Sequence, residues 1–153
     1  MRHPLHPAVV HFPVACWSLA TASDFASLWL GETAWQWSAG LLTVGCGMAV
    51  LALIAGLIEL VRVPEGDALR DTYLHMAAML TAFALFTARL LLRQEGLQTL
   101  PPDGVALVLD AVGFTAMAVG GWLGGRLVYG HGVGRDLHQT LDSVAPPTDR
   151  GPP

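Results

Sequence analysis

The stretch WQWSAGLLTVGCGMAVLALIAGLIELV, residues Trp35 to Val61, decides the fold. It is longer than the about 20 apolar residues that a helix needs to cross a bilayer, and no charged residue occurs between Glu32 and Glu59. Lipid offers no hydrogen-bond partner to the backbone, so an apolar run of this length is stable in a membrane only as a helix. The stretch therefore predicts a membrane-spanning helix.

Three further apolar runs accompany this one. They extend from about Ala8 to Leu30, from Thr72 to Leu92 and from Val105 to Tyr129. The connections between the runs are short, which makes successive helices antiparallel neighbours. We predict an all-α fold: a four-helix transmembrane bundle over residues 1–134, connected up-down-up-down, with both termini on one side. The polar residues 135–153 are predicted to form a disordered tail.

The overall composition also indicates a membrane protein. Of the 153 residues, 53% are hydrophobic and 13% are charged, whereas an ordinary soluble domain carries about 25% charged residues. A net charge of −4, without a single lysine, excludes a basic surface for nucleic acid. Motifs of hydrolases, such as a nucleophile elbow, a phosphate loop or HExxH, do not occur. An electron-transfer or cofactor-binding subunit is therefore favoured over a stand-alone enzyme.

The distribution of arginine predicts an orientation. Two arginines, Arg89 and Arg93, fall on the side opposite to the termini, and the others fall on the side of the termini: Arg2, Arg62, Arg70, Arg126, Arg135 and Arg150. The positive-inside rule then places both termini in the cytoplasm. The expected location is the bacterial inner membrane, with the lipid bilayer as the first partner.

Three charged residues fall at one depth near the outer ends of their runs. Counting the helical rise places Asp24, Arg89 and Asp110 at a similar level. Charges inside a membrane face partners or a cavity because lipid does not solvate them. We predict a structural ion-paired triad inside the bundle, or an Arg89 side chain that extends to the interface.

Histidines from three segments fall at the inner depth. His11 lies near the inner end of the first run, His75 near the inner end of the third, and His131 directly after the fourth, while His6 precedes the first run. A single histidine in a membrane is often a hydrogen-bonding core residue, but convergence from several segments favours a ligand site.

Glycines in the fourth run add to this layer. Gly121, Gly124 and Gly125 lie at spacings that allow close helix packing and a homodimer. The same missing side chains would also leave room for a flat cofactor between helices.

Two motifs resemble a known family. HPLHPAVVHFPVA, residues 3–15, and GGWLGGRLVYGHGVG, residues 120–134, resemble the opening and closing motifs of a bacterial membrane-protein family, domain of unknown function 2231. The resemblance implies four spans, and its pattern includes His6, His11, His75 and His131. It departs at Arg126, where the family usually has an acidic residue, and this departure shifts the expectation from a metal ion towards haem.

The first functional hypothesis is a cytochrome of the b type. His11 and His75 would be the axial ligands of haem b, with His131 as a substitute for either. Arg126 and Arg70 would bind the propionates, and Gly121, Gly124 and Gly125 would make room for the ring. The protein would then transfer electrons between a membrane quinone and a redox partner protein.

Two alternatives remain open at this point. The first is a transition-metal site for copper, zinc or iron, made by His6, His11, His75 and His131, because imidazole suits all three metals. The second is a non-catalytic membrane subunit or scaffold, in which the histidines only satisfy backbone groups.

Overall fold

The described residues form a bundle of four helices with one short hairpin of strands. The computed structural model describes residues 5–61, 63–96 and 98–133. Its elements, in chain order, are α1 (Leu5–Leu30), α2 (Glu32–Leu60), α3 (Asp67–Leu92), β1 (Gln94–Glu95), β2 (Gln98–Thr99) and α4 (Gly104–Tyr129). The predicted four-helix architecture is confirmed, whereas the antiparallel β1–β2 hairpin was not predicted. The predicted tail, residues 135–153, lies outside the described residues.

Three of the helices, α2, α3 and α4, are long and apolar enough to cross a membrane. The fourth, α1, has 26 residues like α3 and α4, but its sequence contains two histidines, two prolines and an aspartate that lower its hydropathy. It packs along α2 in an antiparallel pair. Pro13 lies inside α1, so the Val9 carbonyl lacks an intrahelical N–H partner at that turn.

The helix ends follow from local chemistry. Gly31, with φ of 72°, joins α1 to α2, and Gly66, with φ of 102°, precedes α3. Residues with a side chain rarely adopt these angles. The Asp103 side chain accepts a hydrogen bond from the backbone N–H of Ala106 at 2.9 Å, which caps the start of α4.

The bundle consists of two helical hairpins. Helices α1 and α2 pack closely along their length, as do α3 and α4, while contacts between the two pairs are much sparser. Within each pair an aromatic ring lies against a glycine: Trp17 of α1 against Gly45 of α2, and Phe86 of α3 against Gly113 of α4. The missing side chains let the paired helices approach each other around these bulky rings.

The second hairpin repeats the first. A position that is buried or hydrogen-bonded in α1 has an equivalent position 69 residues later in α3. For α2 and α4 the offset is 68 residues. The equivalent pairs are His6 and His75, Pro13 and Ala82, Trp17 and Phe86, Ser38 and Ala106, Leu42 and Asp110, Gly45 and Gly113, Ala49 and Met117, Ala52 and Gly120, and Gly56 and Gly124. Both hairpins run in the same direction, so an approximate two-fold axis along the bundle relates them.

Helices α1 and α3 meet across this axis at three levels. At one end the rings of His6 and His75 face each other. In the middle the rings of Trp17 and Phe86 stack, with centroids 4.9 Å apart and planes at 21°. At the other end Arg89 pairs with Asp24. We call the two polar levels the histidine end and the carboxylate end. The apolar core that contains Trp17, Phe86, Leu42 and Met117 separates them.

Candidate functional site

The imidazole of His6 is held by α2. Its Nδ1 lies 2.8 Å from the carbonyl oxygen of Ala52, and its backbone N–H donates to Glu59 Oε1 at 3.2 Å. One turn beyond Ala52, a Cβ at Gly56 would lie 3.1 Å from the same Nδ1. The ring therefore occupies the space that the Gly56 side chain leaves empty.

The imidazole of His75 is held by α4 in the same way. Its Nδ1 lies 2.8 Å from the carbonyl oxygen of Gly120. A Cβ at Gly124 would lie 3.2 Å from its Cε1. The glycine that was predicted to make room for a cofactor ring thus makes room for the histidine ring.

These bonds define the tautomer of both rings. A backbone carbonyl only accepts hydrogen bonds, so Nδ1 of His6 and of His75 carries the proton and Nε2 keeps its lone pair. Within the described part of the chain, no residue hydrogen-bonds to either Nε2. The two rings lie edge to face, with centroids 6.3 Å apart and planes at 87°. A histidine that ligates a metal typically donates its other N–H to a carbonyl or carboxylate in this manner.

A second polar group links the start of α3 to the end of α4. The buried Asp71 forms an ion pair with Arg126, whose Nη2 lies 3.0 Å from Asp71 Oδ2, and the same oxygen lies 2.9 Å from His131 Nε2. The Arg126 guanidinium also lies 5.1 Å from the centroid of the Trp122 ring, a cation–π distance. Arg126 and His131 are therefore held by Asp71, whereas Glu59 accepts from the backbone N–H of His6.

The remaining predicted residues lie apart from the histidine pair. His11 is exposed, because it follows His6 by five residues and so points about 140° away around the helix. Arg70 is exposed and lines a groove of about 390 Å³ with Gly66, Leu69, Tyr73 and Leu74. Gly121 and Gly125 have open space where a Cβ would lie.

The predicted metal site of His6, His11, His75 and His131 is not assembled. Among the residues that the structure describes, no three histidine, cysteine, aspartate or glutamate side chains converge on one point. His11 faces outward, and His131 is engaged by Asp71. Only His6 and His75 of the four come together, and two imidazoles are fewer than the four ligands of a usual structural metal site.

At the carboxylate end, the predicted triad is confirmed. Arg89 pairs with Asp24, and its Nε lies 3.6 Å from Asp110 Oδ2. All three side chains are 0% exposed. Arg89 therefore lies inside the bundle and does not extend to the interface.

Sequence reasoning missed two features of the site. Asp71 was not singled out, because a polar residue at the start of a helix has no distinctive pattern. The pairing of His6 with His75 had a signal: His6, Pro13, Trp17, Ala20 and Asp24 recur at intervals of seven, four, three and four residues, which is one helix face. His11 does not belong to that face.

The fold and its long apolar helices define a helical membrane protein. The chain belongs to the family described as "Predicted membrane protein (DUF2231)", whose model matches residues 2–137. This match confirms the family that the two end motifs indicated. No curated protein and no solved structure matches the chain.

Proposed function

We propose that the protein binds haem b between its two hairpins, with His6 and His75 as axial ligands, and takes part in electron transfer in the membrane. The observation that supports the proposal is the histidine pair: two imidazoles from different hairpins, each with Nδ1 bonded to a carbonyl. This arrangement leaves both Nε2 lone pairs for an iron.

The number of ligands favours haem over a bare ion, and the spacing of the two rings fits a metal held between them. Haem needs only two protein ligands, whereas a structural metal site usually needs four. Metal to imidazole-nitrogen distances are about 2.0–2.1 Å, so two rings on opposite faces of one ion have centroids roughly 6 Å apart. The observed 6.3 Å between the His6 and His75 centroids agrees with that value.

The seam between the hairpins supports a planar ligand there. Helices pack closely within each hairpin and sparsely between hairpins. Separating the two hairpins therefore costs less free energy than separating the two helices of one hairpin. His6 and His75 reach this seam from opposite sides. Ligation would thus join the two halves of the protein.

The chain's own residues would bind and orient the ring. Ala52 and Gly120 hold the imidazoles through their carbonyls. We propose Arg126 and Arg70 for the propionates, because both lie at the histidine end and guanidinium groups bind carboxylates in a bidentate manner. Bound haem would supply a one-electron couple, for which a membrane quinone or a redox protein is the proposed partner. We also propose the bacterial inner membrane, with cytoplasmic termini, as the location.

An absorption spectrum of the full chain tests the proposal. The protein is purified in detergent from cells well supplied with haem, and spectra are taken after air oxidation and after dithionite reduction. We expect a Soret band, with sharp α and β bands on reduction. The variants His6→Ala and His75→Ala should each lose the six-coordinate spectrum. His11→Ala is the matched control, because it removes an exposed histidine from the same helix, and it should keep the spectrum.

Two results would contradict the proposal in different ways. A colourless, fully helical protein that does not take up added haem would leave a non-catalytic membrane subunit as the function. Loss of the spectrum in His11→Ala, with retention in His6→Ala, would keep haem binding but reject the ligand pair. Circular dichroism and size-exclusion profiles of each variant separate ligand loss from misfolding.

A further inference from the structure

The carboxylate end holds an unbalanced charge. Two carboxylates, Asp24 of α1 and Asp110 of α4, share one guanidinium, that of Arg89 of α3. All three side chains are fully buried. The remaining helix, α2, contributes the buried Ser38 at this level, which does not titrate. With all three groups ionised, this end of the bundle would carry a net charge of −1 in a medium that solvates charge poorly.

Several polar atoms at this end have no partner. Asp24 binds Arg89 through Oδ2 only. Arg89 Nε lies 3.6 Å from Asp110 Oδ2, a distance that is longer than a hydrogen bond. Among the described residues, the buried atoms without a hydrogen bond include Asp24 Oδ1, both carboxyl oxygens of Asp110, Arg89 Nε and Nη1, and Ser38 Oγ. Buried polar groups are normally satisfied, and an added donor at this end would satisfy carboxyl oxygens that lack one.

We propose that the Asp24–Arg89–Asp110 triad is a proton-binding site that holds one proton at neutral pH, on the Asp110 carboxyl. One carboxylate takes a proton from water and becomes a carboxylic acid, and the net charge of the triad changes from −1 to zero. Asp110 is the acid because Asp24 already holds the guanidinium. The new O–H can donate to the Asp24 carboxylate, because both carboxyls lie beside the same guanidinium.

Water must reach the site from the carboxylate end. Asp110 is the seventh residue of α4, roughly 9 Å from the start of that helix by helical rise. In the opposite direction the stacked rings of Trp17 and Phe86 close the core. Proton exchange therefore does not involve the histidine end, and the inference stands independently of haem binding.

Infrared spectroscopy tests the site directly. The full chain in detergent, labelled with ¹³C at the aspartate carboxyl, should show at neutral pH the C=O stretching band of one protonated carboxylic acid, which shifts in D2O. Asp110→Asn and Asp24→Asn should each abolish the band, because one carboxylate then pairs with one guanidinium. Arg89→Gln should double its intensity, because both carboxyls are then protonated. Asp103→Asn, which removes an exposed carboxylate, is the matched control and should leave the band unchanged.

Other outcomes would overturn the assignment. Absence of the band in wild-type protein at neutral pH would show that the triad is fully ionised. A band that disappears when sodium is added, with no change in pH, would show that a cation and not a proton balances the charge. If Arg89→Gln fails to fold, the two aspartate variants, which preserve side-chain volume, still decide between these results.

Discussion

The His6 ring lies edge-on to the His75 ring, with centroids 6.3 Å apart, although each ring is hydrogen-bonded only within its own hairpin. No hydrogen bond joins the two residues among the described contacts. Their separation therefore depends on how the hairpins dock against each other. Any change that shifts one ring within its hairpin alters the site without altering the other half.

The space at Gly124 determines the position of the His75 ring. In Gly124→Ala, the new methyl group would lie 3.2 Å from His75 Cε1, so the ring must move and its bond to the Gly120 carbonyl weakens. We expect Gly124→Ala to be about 1 kcal/mol less stable than Gly121→Ala, because both gain the helix propensity of alanine but only the first disturbs a hydrogen bond, which is typically worth about that much. Thermal unfolding in detergent measures the difference, and the proposed haem binding would weaken in Gly124→Ala alone.

Gly121→Ala is the control for this substitution. A Cβ at Gly121 meets no atom within 4 Å, and replacement of a helical glycine by alanine gains about 0.5–1 kcal/mol. The variant should be unchanged or more stable. Equal destabilisation by both variants would mean that backbone effects, and not the His75 ring, cause the loss.

The contact between Trp17 and Gly45 should tolerate no added volume. A Cβ at Gly45 would lie 2.8 Å from Trp17 Cδ1 and 3.0 Å from Cys16 Cβ, and the Trp17 side chain is fully buried. We expect Gly45→Ala to cost about 1–3 kcal/mol, as overpacked cores do. Gly47→Ala on the same helix meets nothing within 4 Å and should leave the unfolding midpoint unchanged or raise it. A neutral Gly45→Ala would contradict the close approach of α1 and α2.

The stacked rings of Trp17 and Phe86 should stabilise the docking of the hairpins. Each single change to alanine should cost about 3–5 kcal/mol, because a large buried ring leaves a cavity. A double-mutant cycle should give a coupling of about 0.5–1.5 kcal/mol, the range for aromatic pairs. Trp29→Ala, which removes a ring that is 81% exposed, should have little effect. Strict additivity of the two core changes would contradict the stack.

The Asp103 cap should make the stability of α4 depend on pH. The hydrogen bond from the Ala106 N–H, aided by the charge of Arg93, holds the pKa of the Asp103 carboxyl below its usual range. A group with a lowered pKa stabilises the fold above its unfolded-state pKa, and this contribution disappears as the pH falls through the folded-state pKa. Wild type should therefore unfold at a higher temperature than Asp103→Ala at neutral pH, and the difference should vanish in acid.

Asp103→Asn separates the charge from the cap. Asparagine caps helices without titrating, so its advantage over Asp103→Ala should persist in acid. A difference between wild type and Asp103→Ala that is constant over the whole pH range would show that the carboxylate charge contributes nothing.

The architecture could be predicted from sequence because its signals are local. The apolar runs indicate four helices, and counting helical rise correctly places Asp24, Arg89 and Asp110 at one level. The start of α3 was predicted at Thr72 but lies at Asp67. Residues 67–71 form an additional first turn of α3. Contacts of Asp71 with Arg126 and His131 stabilise this turn, and a pattern of neighbouring residues does not reveal such long-range contacts.

The sequence predicted the level in the membrane at which the histidines lie, but not which histidine faces His75. Depth depends on residue number alone, whereas facing depends on rotation about the helix axis. His6 and His11 both lie in the first two turns of α1, about 7.5 Å apart along it, and the buried face that continues to Trp17 and Asp24 includes only His6. The repeat of the hairpins was also not detectable in the sequence. Few equivalent positions have the same residue type, and what they share is their packing contacts.

The two-fold repeat of the hairpins affects whether functional groups occur in even or odd numbers. Two interchangeable halves supply functional groups in even numbers, and the histidine end obeys this rule. The carboxylate end has three charged groups, which is possible only because the two hairpins carry different residues at equivalent positions. Ala20 and Leu42 of the first hairpin occupy the positions equivalent to Arg89 and Asp110 of the second. A dimer of two α1–α2 hairpins would reproduce the facing imidazoles, yet it would carry Asp24 twice and no arginine to neutralise it. The single chain is thus what makes an odd number of charges compatible with a symmetric frame.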